Sequence, residues 1–254
     1  MDITDREFMA IVASRRISNE DVIFCGTGIS LLAAMTAKRI NAPECKIFYE
    51  TGAIDPELEE LPMSVADPRV MYRSSINAGL FDSFCYMQNP MTGKDVLSIL
   101  GAAQIDKCGN LNTTCIGDYG SPEIRFPGSG GSCDAASLTG GYLVFTQQEK
   151  RRFVEQLDYL TSPGYLSGDN SREEVGYPGG GPEAVITDMA VFEFDGDSGE
   201  MYLSAFRAGT KVDDILNLME FKVDASRAKE MDPVPEKSVE VLREEVDPQR
   251  LILK

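Results

Sequence analysis

Residues 22–49 read VIFCGTGISLLAAMTAKRINAPECKIFY, with two short apolar runs on either side of a helical pattern. The first run, Val22–Cys25, predicts a buried strand, and residues 26–28 (Gly-Thr-Gly) predict a turn after it. Residues 31–40 predict a helix whose last turn carries two basic side chains, where they suit the helix dipole. Residues 46–49 predict a second strand. The segment is therefore a βαβ unit, which implies a parallel sheet.

The rest of the chain continues the mixed pattern of helices and strands. Thr4 and Glu7 have the spacing of a capping box ahead of an apolar helical pattern, which predicts a helix at the N-terminus. Since no internal repeat and no clear linker interrupts the pattern, we predict one domain over residues 1–254. Its fold class is α/β, with an open, mainly parallel sheet flanked by helices. Further predicted elements are strands at 96–103 and 142–145, a hairpin of strands at 185–194 and 201–205, and helices at 212–219 and 238–245.

Composition and charge exclude several classes of protein. The 254 residues include 41 acidic and 24 basic side chains, a formal net charge of −17. Such a surface repels a phosphate backbone, so we expect no nucleic-acid partner. The longest nearly apolar run, 96–105, is much shorter than the ~20 residues of a membrane span, and the charged N-terminus is unlike a signal peptide. We therefore expect a cytoplasmic protein that has no membrane partner.

The chain contains no histidine, which limits the chemistry available to it. No Ser-His-Asp or Cys-His pair can form within it, and histidine-based zinc or iron sites are excluded as well. Its six cysteines are scattered without a C-x-x-C pair, which is typical of reduced thiols and not of a metal site. We therefore expect no bound metal, and reactive groups have to come from Glu, Asp, Lys, Tyr or Cys.

Glu50 is the first candidate for a reactive side chain. It directly follows the second predicted strand, and ligands of open α/β sheets bind beyond the carboxyl ends of the strands. Gly26 and Gly28 follow the neighbouring strand, so the predicted topology places them beside Glu50, where glycine lets a ligand approach the backbone. Two plainer alternatives stay open on these residues alone. Glu50 is then a surface glutamate at a turn, and the glycines are an incomplete dinucleotide fingerprint.

A glycine-rich run at 128–131 (Gly-Ser-Gly-Gly) is the second candidate. Its backbone N–H groups, those of Gly130 and Gly131 above all, can donate to an oxyanion or a thioester carbonyl. An ordinary surface turn has the same composition. The basic run at 149–152 also has two interpretations, a solvated surface or a contact with a coenzyme or a partner subunit.

Three further polar residues lie near these candidates in the sequence. Gln104 and Asn110 bracket a turn, and their neutral amides can orient a carbonyl group. Arg125 can pair with a carboxylate or a phosphate through two hydrogen bonds. The structural alternatives are a turn residue for Asn110 and an ordinary ion pair for Arg125.

Taken together, these pieces are more specific than any of them alone. The strand and glycine turn at 22–28, the helix at 31–39 and the motif at 49–52 (Tyr-Glu-Thr-Gly) resemble the N-terminal half of β subunits of family I coenzyme A transferases. In that family a glycine turn, a helix and a strand precede a Glu-x-Gly motif. Stretches resembling those of the glutaconate type continue along the chain, at 101–106 (GAAQID), 109–112 (GNLN), 117–119 (GDY), 125–131 (RFPGSGG), 149–153 (EKRRF), 161–164 (TSPG) and 243–248 (REEVDP).

The resemblance implies a function and assigns roles to the candidates. Glu50 is then the nucleophile, which carries coenzyme A as a glutamyl thioester between an acyl-CoA and a carboxylate or dicarboxylate such as glutaconate. Coenzyme A is a substrate, no cofactor is tightly bound, and an α-type subunit is the expected partner. Gln104, Gly130 and Gly131 are assigned to orienting the substrate and its oxyanion. Coenzyme A or substrate binding is assigned to Gly26, Gly28, Asn110 and Arg125. The alternative is an acyl-CoA hydrolase or a decarboxylase-type relative on the same fold.

Overall fold

The computed structural model describes residues 2–178 and 180–253. Contacts between Cα atoms divide the chain into two compact units, one formed by residues 1–99 and 234–254 and the other by residues 100–233. The prediction of one domain over residues 1–254 therefore stays a prediction. Within the described residues, no helix has the length and apolar character that crossing a membrane requires.

The first unit is built on a sheet whose core strands are parallel. Its strands follow the order β5-β1-β2-β3-β4. The β5–β1 and β1–β2 pairs are parallel, and the β2–β3 and β3–β4 pairs are antiparallel. The elements, in chain order, are α1 (Asp5–Ser14), β1 (Val22–Cys25), α2 (Ile29–Ile40), β2 (Lys46–Phe48), β3 (Ala53–Ile54), a 3-10 turn (Pro68–Met71), β4 (Ile76–Asn77), α3 (Leu80–Gln88), α4 (Pro90–Gly93) and β5 (Val96–Gly101), which leads into the second unit.

Local signals explain the start of this unit. The Thr4 hydroxyl accepts a hydrogen bond from the Glu7 N–H, and the Glu7 carboxylate accepts one from the Thr4 N–H, so the predicted capping box is present. In β1, Ile23 pairs with Ile47 and Phe24 with Phe48. All four side chains are buried, as expected for a parallel strand covered on both faces. The predicted βαβ unit is confirmed, with α2 beginning two residues earlier than expected.

The second unit contains another mixed sheet segment, with the strand order β14-β13-β12-β11-β10. The β10–β11 and β13–β14 pairs are parallel, and the two pairs between them are antiparallel. The α/β fold class is confirmed, and parallel and antiparallel pairs are both prominent in it. The elements are β6 (Gln104–Ile105), β7 (Leu111–Asn112), β8 (Cys115–Ile116), β9 (Ile124–Arg125), α5 (Ser132–Leu138), β10 (Gly141–Phe145), α6 (Ser171–Glu174), β11 (Pro182–Ile186), β12 (Ala190–Phe194), β13 (Met201–Phe206), α7 (Val212–Leu216) and β14 (Lys229–Glu230).

One predicted strand in this unit is two strands. Residues 185–194 turn sharply after Ile186, and the Thr187 hydroxyl accepts hydrogen bonds from the N–H groups of Met189 and Ala190. No glycine or proline marks this turn, so the apolar pattern on both sides of it predicted one continuous strand. The predicted hairpin is confirmed for β12 and β13, which are antiparallel neighbours. Its turn is closed by a hydrogen bond of 2.8 Å from the Gly199 N–H to the Asp195 carbonyl.

The C-terminal segment completes the first unit with α8 (Glu236–Val241), which continues as a π-helical turn (Leu242–Val246). It packs against α1 and α2. The buried Asp247 carboxylate then accepts hydrogen bonds from three successive backbone N–H groups, those of Leu251, Ile252 and Leu253. This arrangement ties the end of the chain to the same unit that carries Glu50.

Candidate active site

Glu50 occupies a tight turn between β2 and β3. The Gly52 N–H donates to the Tyr49 carbonyl at 3.0 Å, and the Tyr49 N–H donates to the Ala53 carbonyl at 3.0 Å. Glu50 and Thr51 are therefore the two central residues of a β-turn. Gly52 has a φ of +102°, a backbone conformation that favours glycine. The turn holds Glu50 just beyond the carboxyl end of a parallel strand, where the sequence placed it.

The Glu50 side chain is half-buried, and its carboxylate is unpaired in the described part of the chain. Within residues 2–178 and 180–253, its carboxylate has no hydrogen-bond or ion-pair partner. The residue before it is anchored: the Tyr49 ring is fully buried, and the Tyr49 carbonyl accepts a hydrogen bond of 3.0 Å from the Ser83 hydroxyl. A fixed backbone and a free carboxylate suit a nucleophile, because the reactive group is positioned without being neutralised by its own chain.

Gly26 and Gly28 lie at the same edge of the first unit's sheet. Since β1 and β2 are parallel and Phe24 pairs with Phe48, the residues after both strands emerge side by side. A Cβ on either glycine would meet nothing within 4 Å, and Gly28 has a φ of +87°. This open space leaves the backbone accessible to a ligand. Their assignment to coenzyme A or substrate binding stays a prediction.

The amino end of α2 adds a favourable electrostatic environment at this edge. Gly28 is the N-cap, and no side chain caps the helix. The N–H groups of its first turn therefore lack a side-chain acceptor from the cap residue, and the helix dipole gives this end partial positive charge. An anionic group bound next to these glycines would be stabilised.

In the second unit, Gln104 is buried inside a hydrogen-bond network. Its amide nitrogen donates to Asp158 at 2.7 Å, and its amide oxygen accepts from Asn112 at 2.7 Å and from the Asp158 N–H at 3.2 Å. Gln104 also lines a cavity of about 380 Å³ together with Arg151, Arg152 and six other residues. These partners occupy most of the hydrogen-bonding capacity of the amide. The role of Gln104 in orienting a substrate stays a prediction.

The Asn110 side chain also forms hydrogen bonds with other residues of its own chain. Its side chain donates to Asp106 at 2.7 Å and to the Leu166 carbonyl at 2.8 Å, and it accepts from the N–H groups of Gly164 and Leu166. Burial raises the pKa of Asp106 above its usual value, although the hydrogen bonds from Asn110 oppose that shift. These contacts describe a residue that joins two loops. The predicted role of Asn110 in binding coenzyme A or substrate stays a prediction.

The glycine-rich loop at 128–131 presents free donors. The Ser129 hydroxyl accepts a hydrogen bond from the Cys133 N–H at 3.2 Å, which ties the loop to the start of α5. Gly130 has a φ of +51°, and a Cβ there would meet nothing within 4 Å. In the described part of the chain, the N–H groups of Gly130 and Gly131 have no acceptor. Two adjacent free N–H groups beside open space are what an oxyanion site requires.

Arg125 is exposed and rests on an aromatic platform. Its guanidinium lies 4.6 Å from the centre of the Tyr119 ring, which stacks on Tyr159 with 5.1 Å between ring centres. No local pattern in the sequence predicts this platform, because residues 119 and 159 are far apart along the chain. The guanidinium has no carboxylate partner among the described residues, so it is available to an anion. Arg151 and Arg152 differ in this respect, because both pair with Glu149.

The chain is similar to known proteins of one family. The family model for "Coenzyme A transferase" matches residues 6–218. The B subunit of glutaconate CoA-transferase from Acidaminococcus fermentans is 37% identical, over 96% of this chain and 93% of that protein. The B subunit of 3-oxoadipate CoA-transferase from Pseudomonas knackmussii is 33% identical, over 93% of this chain and 91% of that protein. The crystal structure of glutaconate coenzyme A-transferase from Acidaminococcus fermentans has a TM-score of 0.96 at 36% identity, and covers 100% of this chain and 98% of that chain.

Proposed function

This chain belongs to the coenzyme A transferase family, and we propose that it is the glutamate-bearing subunit of an enzyme that transfers coenzyme A to or from a dicarboxylate such as glutaconate. The observation that carries the proposal is the Glu50 turn, which presents an unpaired carboxylate beside the open space at Gly26 and Gly28. The names of the two relatives, which specify glutaconate and 3-oxoadipate, support a dicarboxylate.

The reaction runs through covalent attachment to Glu50. The ionised carboxylate attacks the thioester carbonyl of the acyl-CoA, which gives a mixed anhydride and releases the coenzyme A thiolate. The thiolate then attacks the Glu50 carbonyl of the anhydride, so that a glutamyl-CoA thioester forms and the first acid leaves as its carboxylate. The second carboxylate reverses these two steps and departs as the new acyl-CoA. No step transfers a proton, which is compatible with a chain that has no histidine.

A carboxylate is a weak nucleophile, so the protein has to supply orientation and charge stabilisation. Orientation of well-placed groups contributes up to about 7–11 kcal/mol in intramolecular reactions. Negative charge develops on a carbonyl oxygen at each tetrahedral intermediate, and backbone N–H donors stabilise such an oxygen. Gly130 and Gly131 have free N–H groups of this kind in the described part of the chain, and we assign them to the oxyanion of a bound substrate. One lost donor of this kind typically costs about 3 kcal/mol.

An α-type subunit is the proposed partner. Both relatives are the B subunits of their enzymes, and the chain covers more than nine-tenths of each. The activity is therefore expected from the co-purified complex of this chain with a subunit of the α type. Coenzyme A acts in it as a substrate, and we expect no tightly bound cofactor.

The test is to trap the intermediate. The two-subunit complex is mixed with an acyl-CoA, treated with hydroxylamine or borohydride, and digested for mass spectrometry. We expect a modification at Glu50 that Glu50→Gln lacks, while Glu50→Gln retains the wild-type thermal transition. Free coenzyme A that accumulates without any modification of Glu50 would instead support hydrolysis on the same fold and would contradict the transferase mechanism.

A further inference from the structure

Glu50 lies in the sequence between two residues whose buried side-chain hydroxyls have no hydrogen-bond partner among the residues that the structure describes. In the described part of the chain, four buried side-chain oxygen atoms have no hydrogen-bond partner, those of Thr36, Tyr49, Thr51 and Gln148. Two of the four belong to the residues directly before and directly after Glu50. Such atoms are rare in folded proteins and often mark catalytic or strained sites. The pair on either side of Glu50 therefore requires an explanation.

Tyr49 and Thr51 differ in their surroundings. The Tyr49 side chain is fully buried in the core, where burial raises the pKa of its hydroxyl far above the usual value. Thr51 is instead a half-buried residue of the turn itself, and it shares the two central positions with Glu50. Of the two hydroxyls, that of Thr51 therefore belongs to the turn that carries Glu50, and that of Tyr49 belongs to the core.

The turn does not explain the Thr51 hydroxyl. Serine and threonine in turns usually bond to a backbone group within a few residues, which stabilises the turn. The Thr51 oxygen forms no such bond, and the turn is closed by backbone hydrogen bonds from Gly52 and Tyr49 alone. An unused donor thus stands next to Glu50, whose carboxylate also has no partner among the described residues.

We propose that Thr51 is a catalytic residue that stabilises the Glu50 carbonyl oxygen during the reaction, and this inference rests on the function proposed above. Its hydroxyl turns by rotation about χ1 and donates to the Glu50 carbonyl oxygen once that oxygen belongs to the mixed anhydride or the glutamyl thioester. Ionised Glu50 is stabilised by solvent, but the oxygen of the tetrahedral intermediate develops its charge when substrates have displaced that solvent. Thr51 forms and breaks no covalent bond in this step.

Two substitutions separate this role from a packing role. Thr51→Val keeps the shape and removes the hydroxyl, and Thr51→Ser keeps the hydroxyl. We expect Thr51→Val to lower kcat of the two-subunit complex by about 10- to 100-fold, the effect of one hydrogen bond to a charged group. KM should change little, because the bond forms after substrate binding. Thr51→Ser should restore kcat to within about threefold of wild type.

Thr36→Val provides the matched control. Thr36 lies in α2 and its hydroxyl is equally buried and unpaired. Replacing either threonine by valine removes an unsatisfied buried group, so both variants should keep or raise the thermal transition. Only Thr51→Val should slow transfer. If Thr51 only packs, both Thr51→Val and Thr51→Ser should have a lower transition temperature, and both should lose kcat to the same extent.

The deciding measurement is the single-turnover rate at which the Glu50 adduct forms in the wild type and in the Thr51 variants, followed by mass spectrometry. Slower formation in Thr51→Val, with recovery in Thr51→Ser, supports the assignment. An adduct that forms at the wild-type rate in Thr51→Val would overturn the role of Thr51 and leave the proposed function intact. Complete absence of the adduct in the wild type would overturn both.

Discussion

Gly52 lies directly against Ala78, so closely that a Cβ on Gly52 would stand 2.2 Å from the Ala78 carbonyl oxygen. The two residues are also joined by a hydrogen bond of 2.9 Å from the Ala78 N–H to the Gly52 carbonyl. Glycine is therefore required at position 52 of the Glu-x-Gly motif for two reasons, the positive φ of this residue and its close contact with Ala78. The contact ties the turn that carries Glu50 to the short segment between β4 and α3.

Gly52→Ala is expected to lower the free energy of unfolding by about 3 kcal/mol or more. The backbone conformation is unfavourable for alanine, and the Ala78 carbonyl has to move away. Urea unfolding of the variant measures this loss. Gly26→Ala is the control, since a Cβ there meets nothing within 4 Å. It should fold like the wild type, and an unchanged stability of Gly52→Ala would show that the turn is not anchored at Ala78.

The loop at 128–131 is tested by adding a side chain that its backbone tolerates. Asparagine accepts positive φ better than most residues, so Gly130→Asn should cost little stability. If the open space beside Gly130 receives substrate, kcat/KM of the complex should fall by at least about 10-fold. Gly176→Asn is the matched control, because Gly176 also has a positive φ (+82°) and open space around it. Equal activity in the two variants would remove the loop from the site.

Asn110 is expected to contribute chiefly to stability. Asn110→Ala removes the partner of one Asp106 carboxylate oxygen and the partner of the Gly164 N–H, while the other Asp106 oxygen keeps its bonds to backbone N–H groups. We expect a loss of about 2–4 kcal/mol in the free energy of unfolding. Asn217→Ala, at an exposed helix end, should change it by less than about 0.5 kcal/mol. A raised KM for the acyl-CoA with unaltered stability would favour the binding role instead.

The ion pair between Glu7 and Arg243 predicts how stability depends on pH. Burial tends to raise the pKa of Glu7, but hydrogen bonds from Arg243 and Thr4 outweigh it and hold the pKa below the usual value. A lowered carboxyl pKa stabilises the fold above the unfolded value of about 4.3, and that contribution is lost as the pH falls through the folded pKa. Arg243→Met should therefore cost about 2 kcal/mol at neutral pH and less at an acidic pH below about 4.3.

Urea unfolding at the two pH values measures this effect. Arg73→Met is the control, because its ion pair with Glu57 is largely exposed, with 61% and 65% of the two side chains accessible. An exposed pair contributes little to stability. Equal pH dependence in Arg243→Met and the wild type would show that the Glu7 pair does not couple folding to protonation.

Local pattern was sufficient for the segment that carries Glu50. The strand Val22–Cys25 has the predicted bounds, α2 has the predicted end, and β2 ends one residue before the predicted position. These elements follow from apolar runs, glycine turns and capping residues, all of which act within a few residues. Glu50 followed from the same rules, since any residue after a parallel strand emerges at the carboxyl edge of the sheet. The family followed from motif order along nearly the whole chain.

Packing decided what local pattern could not. Gln104 and Asn110 are amides beside a turn in the sequence, and only the folded chain brings Asp158 and Leu166 to them. The same holds for the contact between Gly52 and Ala78 and for the stacking of Arg125 on Tyr119. The chain's sequence thus determined the strands and the helix around Glu50 and the position of Glu50 directly after β2. Tertiary structure settled which of the candidate groups are already bonded and which are free, because hydrogen bonds between distant residues depend on packing and leave no trace in local periodicity.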